Sequence, residues 1–76
     1  MEVILFVREG CPECEAAKEY LEGRELEFET IVIDDEDPVE DERVPPMAYR
    51  RTPSFSLDGK FIPVFNPRML DRRITQ

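Results

Sequence analysis

A chain of 76 residues with 41% apolar content, 18 acidic and 10 basic side chains and no histidine is expected to form one small domain over residues 1–76. It is too apolar for a disordered segment and too short to enclose a large cavity. The missing histidine excludes Ser-His and Cys-His catalysis and any His-containing metal site, and a net charge of −8 argues against nucleic acid as a partner, because phosphate contacts need a basic field. The charge is unevenly divided: residues 1–42 hold 16 acids and three bases, residues 43–76 two acids and seven bases. Either the halves neutralise each other across one folded surface, or Arg50, Arg51, Arg72 and Arg73 form a patch for an anionic partner.

Val3 to Val7 is a continuous β-branched and aromatic run, the pattern of a strand covered on both faces. It is the strongest apolar run, far short of the roughly 20 residues a spanning helix needs, and Met1-Glu2 lacks the basic start of a signal peptide. A cytoplasmic protein with no membrane contact is the expectation. Arg8-Glu9-Gly10 breaks the strand, and Pro12 suits a first helical turn, where its missing N–H is no loss. Cys14, Ala17 and Leu21 then share one helical face while Glu15, Glu19 and Glu22 face water, and Gly23 is a natural stop. Phe28 to Ile33 reads as a second buried strand, which with the first strand and the helix makes a βαβ unit with parallel pairing.

Asp34 to Asp37 reads as an acidic turn. Pro38 opens a short helix through Arg43, and Pro45-Pro46 ends it. Ser54 to Leu57 is a strand, Asp58-Gly59 a hairpin turn, and Lys60 to Phe65 the antiparallel partner, an edge strand because Pro63 cannot donate to a ladder. Asn66 caps a last helix with Pro67 in its first turn and Met69, Leu70 and Ile74 on its inner face. The order is β-α-β-(α)-β-β-α.

Cys11-Pro12-Glu13-Cys14 falls where a strand gives way to a helix. Free N–H groups and the dipole at a helix start stabilise a thiolate at Cys11, and the thiolate is the form that attacks a disulfide. Arg8 favours that charge; Glu9, Glu13 and Glu15 oppose it. Cys14, one turn further in, is placed to resolve a mixed disulfide. Other readings stay open: a zinc site, which needs four ligands and so a dimer or added carboxylates; a permanent disulfide closing a very short loop; or two inert thiols. The run Asp34-Asp35-Glu36-Asp37 lacks the spaced ligands of a calcium loop, and no metal site is expected.

The run Val3-Ile-Leu-Phe-Val-Arg-Glu-Gly-Cys-Pro-Glu-Cys, with Thr52-Pro53 just before a strand and Asp58-Gly59-Lys60 after it, resembles the glutaredoxins of the thioredoxin-fold superfamily from residue 3 to about residue 70. The resemblance implies an α/β fold with a four-stranded mixed sheet flanked by helices. The Pro45-Pro46 break implies a second helix that is shortened relative to the family. Pro53 is implied to be cis beside the cysteine pair, with the Thr52 backbone binding an incoming chain as an added strand. Cys11 would be the nucleophile and Cys14 the resolving thiol. The expected substrate-binding residues are Arg8, Pro12, Arg51, Thr52 and Pro53.

Glutathione-using members usually carry an aromatic residue where this chain has Glu13. They usually also have a Gly-Gly pair where it has Phe65-Asn66-Pro67, and Pro67 has no N–H to give. The expected function is therefore thiol–disulfide exchange on disulfides in other proteins by a monomer that needs no metal or prosthetic group. The electron donor is a reductase or glutathione. A glutathione-dependent glutaredoxin is the alternative within that chemistry, and a binding module with non-catalytic or zinc-binding cysteines is the alternative outside it.

Overall fold

The computed structural model describes residues 1–74, in which four strands form one mixed sheet in the order β2-β1-β3-β4. The elements in chain order are β1 (Val3–Val7), α1 (Pro12–Gly23), β2 (Glu29–Val32), a 3-10 helix (Pro46–Tyr49), β3 (Ser54–Leu57), β4 (Lys60–Ile62) and α2 (Pro67–Ile74). β1 lies parallel to β2, with Phe6 opposite Ile31, and antiparallel to β3, with Leu5 opposite Phe55. β3 and β4 complete an antiparallel hairpin with Phe55 opposite Ile62. This is the expected fold class.

β1 is central, which is why its apolar run is unbroken: alternate residues supply two separate cores. On one face Val3 and Leu5 join Phe55, Leu57 and Ile62 beneath the helices, which contribute Ala17, Leu21 and Leu70. On the other face Ile4 and Phe6 join Ile31 and Ile33 beneath Ala48 of the 3-10 helix. Both α-helices thus cover one side. The other is covered by the irregular segment 34–50, whose only helix is one turn long, so the second helix is shortened as the sequence implied.

Local signals place most elements where the sequence suggests. Asp58 and Gly59 both have positive φ, 50° and 86°, the conformation of a tight two-residue hairpin turn. Asn66 Oδ1 accepts the N–H groups of Arg68 and Met69 at 3.1 and 3.3 Å, capping α2, and Leu70 is its buried residue. The edge strand β4 stops at Ile62, immediately before Pro63.

Three expectations need correction. No helix spans residues 38–43: Asp41 instead captures the Arg43 N–H through Oδ1 at 2.9 Å and the Val44 N–H through its carbonyl at 3.0 Å. Short polar side chains compete with helical bonding in this way, and Val44 is pushed toward extended backbone by the proline that follows. Pro45 and Pro46 therefore do not end a helix. Pro45 is the N-cap of the 3-10 helix and Pro46 its first residue, a position where a proline loses nothing.

β2 is not a buried strand, because it forms a sheet edge; Ile31 is buried while Val32 is 48% exposed. β4 ends at Ile62 and does not run to Phe65, because Pro63 has no N–H for the ladder. Gly23 ends α1 as expected, and Glu25, with φ 57°, turns the chain after it.

Candidate active site

The turn between β1 and α1 carries the two cysteines, and Gly10, with φ 71°, lets the chain reverse there without a side-chain clash. Cys11 is the N-cap of α1 in extended backbone (φ −102°, ψ 106°), and Pro12 is the first helical residue. The Cys11 sulfur accepts the backbone N–H of Cys14 at 3.2 Å, and the Cys11 carbonyl accepts the N–H groups of Cys14 and Glu15 at 3.1 and 3.3 Å. A sulfur thus occupies the position where an oxygen side chain usually caps a helix. Both cysteines are free thiols, Cys11 half-buried and Cys14 only 3% exposed.

Burial, and after it the interaction with the Cys11 side chain, push the Cys14 thiol up to about 11, with the Arg8 backbone and the Thr52 side chain pulling the other way. The two sulfurs are therefore unlike. One caps the helix and is partly open to solvent, whereas the other is covered and holds its proton.

The Thr52–Pro53 peptide bond is cis, as the resemblance implied. Thr52 is half-buried and Pro53 buried. They border a cleft of about 350 Å³ whose other walls include Glu13, Arg51, Val64 and Phe65. Arg50 also lines it, whereas Arg72 and Arg73 lie in the last turn of α2, where cations complement the helix dipole. Of the Cys-Pro-Glu-Cys turn it is Glu13 that shares this cleft with Arg51, Thr52 and Pro53, with Cys11 and Pro12 just before it at the head of α1.

Arg8 is placed differently from its expected role. Its guanidinium bonds the Asp35 carboxylate at 3.0 Å and also donates to the Tyr49 carbonyl, so it faces the segment 34–50. The cleft walls Val64, 44% exposed, and Phe65 were not among the expected site residues. Val64, directly after the Pro63 break, was the available signal, because an edge strand that stops there leaves it uncovered, whereas Phe65 is half-buried against Tyr20 and Phe55.

Cys14 also borders a smaller cleft of about 220 Å³ on the β2 side, with Glu9, Glu15 and Lys18 around it. Among the described residues no group of three or more metal-ligating side chains comes together, and no helix is long and apolar enough to cross a membrane.

The glutaredoxin family model matches residues 3–62. Two solved structures are similar over nearly their full length. A thioredoxin-like protein, BC3987, shares 22% identity, covering 92% of this chain and 96% of its own, with a TM-score of 0.72. Glutaredoxin 1 from Francisella tularensis shares 20% identity, covering 99% of this chain and 98% of its own, with a TM-score of 0.68. No curated protein sequence matches this chain. At such identities the structural likeness speaks for the fold, and the family match speaks for kinship: the chain belongs to the glutaredoxin family. Family and fold together support a thiol oxidoreductase-like function.

Proposed function

We propose that this glutaredoxin-family chain reduces disulfides in other proteins by cycling Cys11 and Cys14 between dithiol and disulfide. The observation that carries this reading is the asymmetry of the pair: the Cys11 sulfur caps α1 through the Cys14 N–H, while Cys14 is covered and pushed up to about 11 by burial and by its interaction with Cys11. Oriented N–H groups at a helix start favour a sulfur anion.

In the first step the Cys11 thiolate attacks one sulfur of the substrate disulfide. That S–S bond breaks, and the departing sulfur leaves with the electron pair and takes a proton from water. In the second step Cys14 gives its proton to water and attacks Cys11. The mixed disulfide breaks, the second substrate sulfur leaves reduced, and Cys11 and Cys14 are joined. Two electrons have passed to the substrate, and an external thiol reductant returns them. The Thr52 backbone pairs with the substrate chain beside Pro53, in the manner of an added strand. Arg51 and Val64 flank that chain. The scheme requires no metal or prosthetic group.

The test is reduction of insulin disulfides with dithiothreitol as electron source. Wild type is expected to turn over, Cys11→Ser to be inactive, and Cys14→Ser to accumulate a covalent mixed disulfide visible by mass spectrometry. Full activity of Cys11→Ser overturns the proposal.

A second reading, with glutathione as the reductant, draws support from Arg50 and Arg51 in the cleft, which offer charge for its carboxylates. Against it, Pro67 has no N–H and Asn66 already occupies those of Arg68 and Met69. Turnover of a glutathionylated peptide with glutathione alone would favour this second reading; turnover only with a dithiol reductant supports the first.

A further inference from the structure

Arg50 stands between two hollows. It lines the cleft beside Thr52 and Pro53, and it also lines a second, more open hollow of about 490 Å³ on the segment 34–50. The second hollow has apolar walls in Val39, Val44, Pro46 and Tyr49, and its charged residues are Asp35 and Arg50. Its size lies within the range of ligand sites, about 300–1,000 Å³.

This hollow is built before any partner arrives. Val39, Val44 and Tyr49 pack on the core of Ile4, Phe6 and Ala48. The Tyr49 hydroxyl accepts the Val39 N–H at 2.9 Å, and its carbonyl accepts the Arg8 guanidinium, which also bonds Asp35 at 3.0 Å. A surface fixed in this way loses little conformational freedom when a chain settles on it. Arg8 and Asp35 satisfy each other, and Arg24 and Arg43 are likewise paired with carboxylates. The exposed side chains of Arg50 and Arg51 form no ion pair among the described residues, so their charge is left for a partner.

We propose that this hollow extends the substrate site, and that Arg50 selects protein disulfides whose cysteine is flanked on one side by an acidic residue and a large apolar one. The acid pairs with Arg50, and the apolar side chain settles on Val39, Val44 and Tyr49. This rests on the disulfide chemistry proposed above. The two hollows share a wall, so a chain that leaves the Thr52 cleft over Arg50 meets the apolar one next. It does so on one side of its cysteine only.

The test uses the full Cys14→Ser chain and synthetic peptides, each with one cysteine activated as a thiopyridyl disulfide. The Cys11 thiolate attacks the peptide sulfur, that S–S bond breaks, and thiopyridone leaves with the electron pair. Its absorbance reports the attack, and the peptide stays joined to Cys11. Glutamate and leucine are scanned outward from the peptide cysteine on each side. One placement, on one side only, is expected to react fastest. There, alanine in place of the leucine lowers the second-order rate about tenfold, the scale of an apolar pocket contact. Glutamine in place of the glutamate lowers it about threefold, the scale of an exposed ion pair. In Arg50→Gln the ratio between acidic and amide peptides is expected to fall to about one. Methyl resonances of Val39 and Val44 are expected to move when the leucine peptide is attached and to stay when the alanine peptide is. Equal rates for every placement, or unmoved methyls, overturn the inference. Methyls that move with protein concentration alone assign the hollow to a second copy of the chain and overturn it as well. A wild-type chain that fails to expel the peptide by ring closure overturns the dithiol reading instead, and the rate ratios still decide this inference.

Discussion

The hydroxyl of Tyr20, on α1, donates to the carboxylate of Asp71, on α2, a partner 51 residues away in the chain. Arg24 bonds the same carboxylate at 3.2 Å, and its guanidinium carbon lies 6.0 Å from the centre of the Tyr20 ring. That ring meets Phe65 edge-on at 5.8 Å, and Phe65 leans on Phe55 at 6.0 Å. One clasp therefore fastens an eight-residue helix, too short to persist alone, and supports the Phe65 wall of the cleft.

Tyr20→Phe keeps the ring and loses the hydroxyl. The expected cost is about 1.5 kcal/mol, the low end of the range for hydrogen bonds to charged groups, because the pair is only partly buried. It should appear as a lower urea midpoint with an unchanged slope. Tyr20→Ala also removes the support under Phe65, and is expected to raise the KM for protein disulfides where Tyr20→Phe does not. Equal midpoints for wild type and Tyr20→Phe would show that the clasp contributes nothing.

Cys14 should remain protonated to about pH 11 in the reduced protein, first because it is buried and second because it interacts with Cys11. Cys11→Ala removes that interaction and the charge beside it but leaves the burial, so Cys14 is expected to titrate at lower pH. Thiolate absorbance in the ultraviolet, followed across a pH series, reads this directly. A mixed disulfide at Cys11 removes the same charge, so Cys14 becomes more acidic at the step where it must attack. An unchanged Cys14 titration in Cys11→Ala would leave burial as its sole cause.

Arg43 bonds Glu29 with two nitrogens at 2.9 and 2.7 Å and Asp41 at 2.8 and 3.1 Å, tying the edge strand β2 to the segment 34–50. The guanidinium holds the Asp41 carboxyl down to about 2 and lowers Glu29 as well. A carboxyl depressed in the folded state contributes stability that is present above its unfolded value, here 3.8, and lost as pH falls through about 2. The melting temperature of Arg43→Ala is therefore expected to fall below wild type at neutral pH, with the gap closing across that acid window. Being exposed, the effect should be small and fade in high salt. A gap that persists below pH 2 would assign it to packing instead.

What the sequence by itself determined is whatever its neighbours within one turn decide. The unbroken run of β1, the Cys14-Ala17-Leu21 face of α1, the Asp58-Gly59 turn and the Asn66-Pro67 start of α2 all follow from periodicity and from residues with narrow backbone preferences. The cysteine pair at the head of α1 was legible for the same reason, since Gly10 and Pro12 bracket it. The segment 34–50 was not. Its acids and prolines carry no period, and its path is decided by contacts across the fold: Ala48 seated on Ile4 and Phe6, Arg43 reaching Glu29, Arg8 reaching Tyr49. Long charged side chains take whichever acceptor the fold brings within reach. Arg8 therefore read as a substrate ligand in the sequence, and only the tertiary structure, by placing Asp35 and the Tyr49 carbonyl beside it, turned it toward the chain's own backbone.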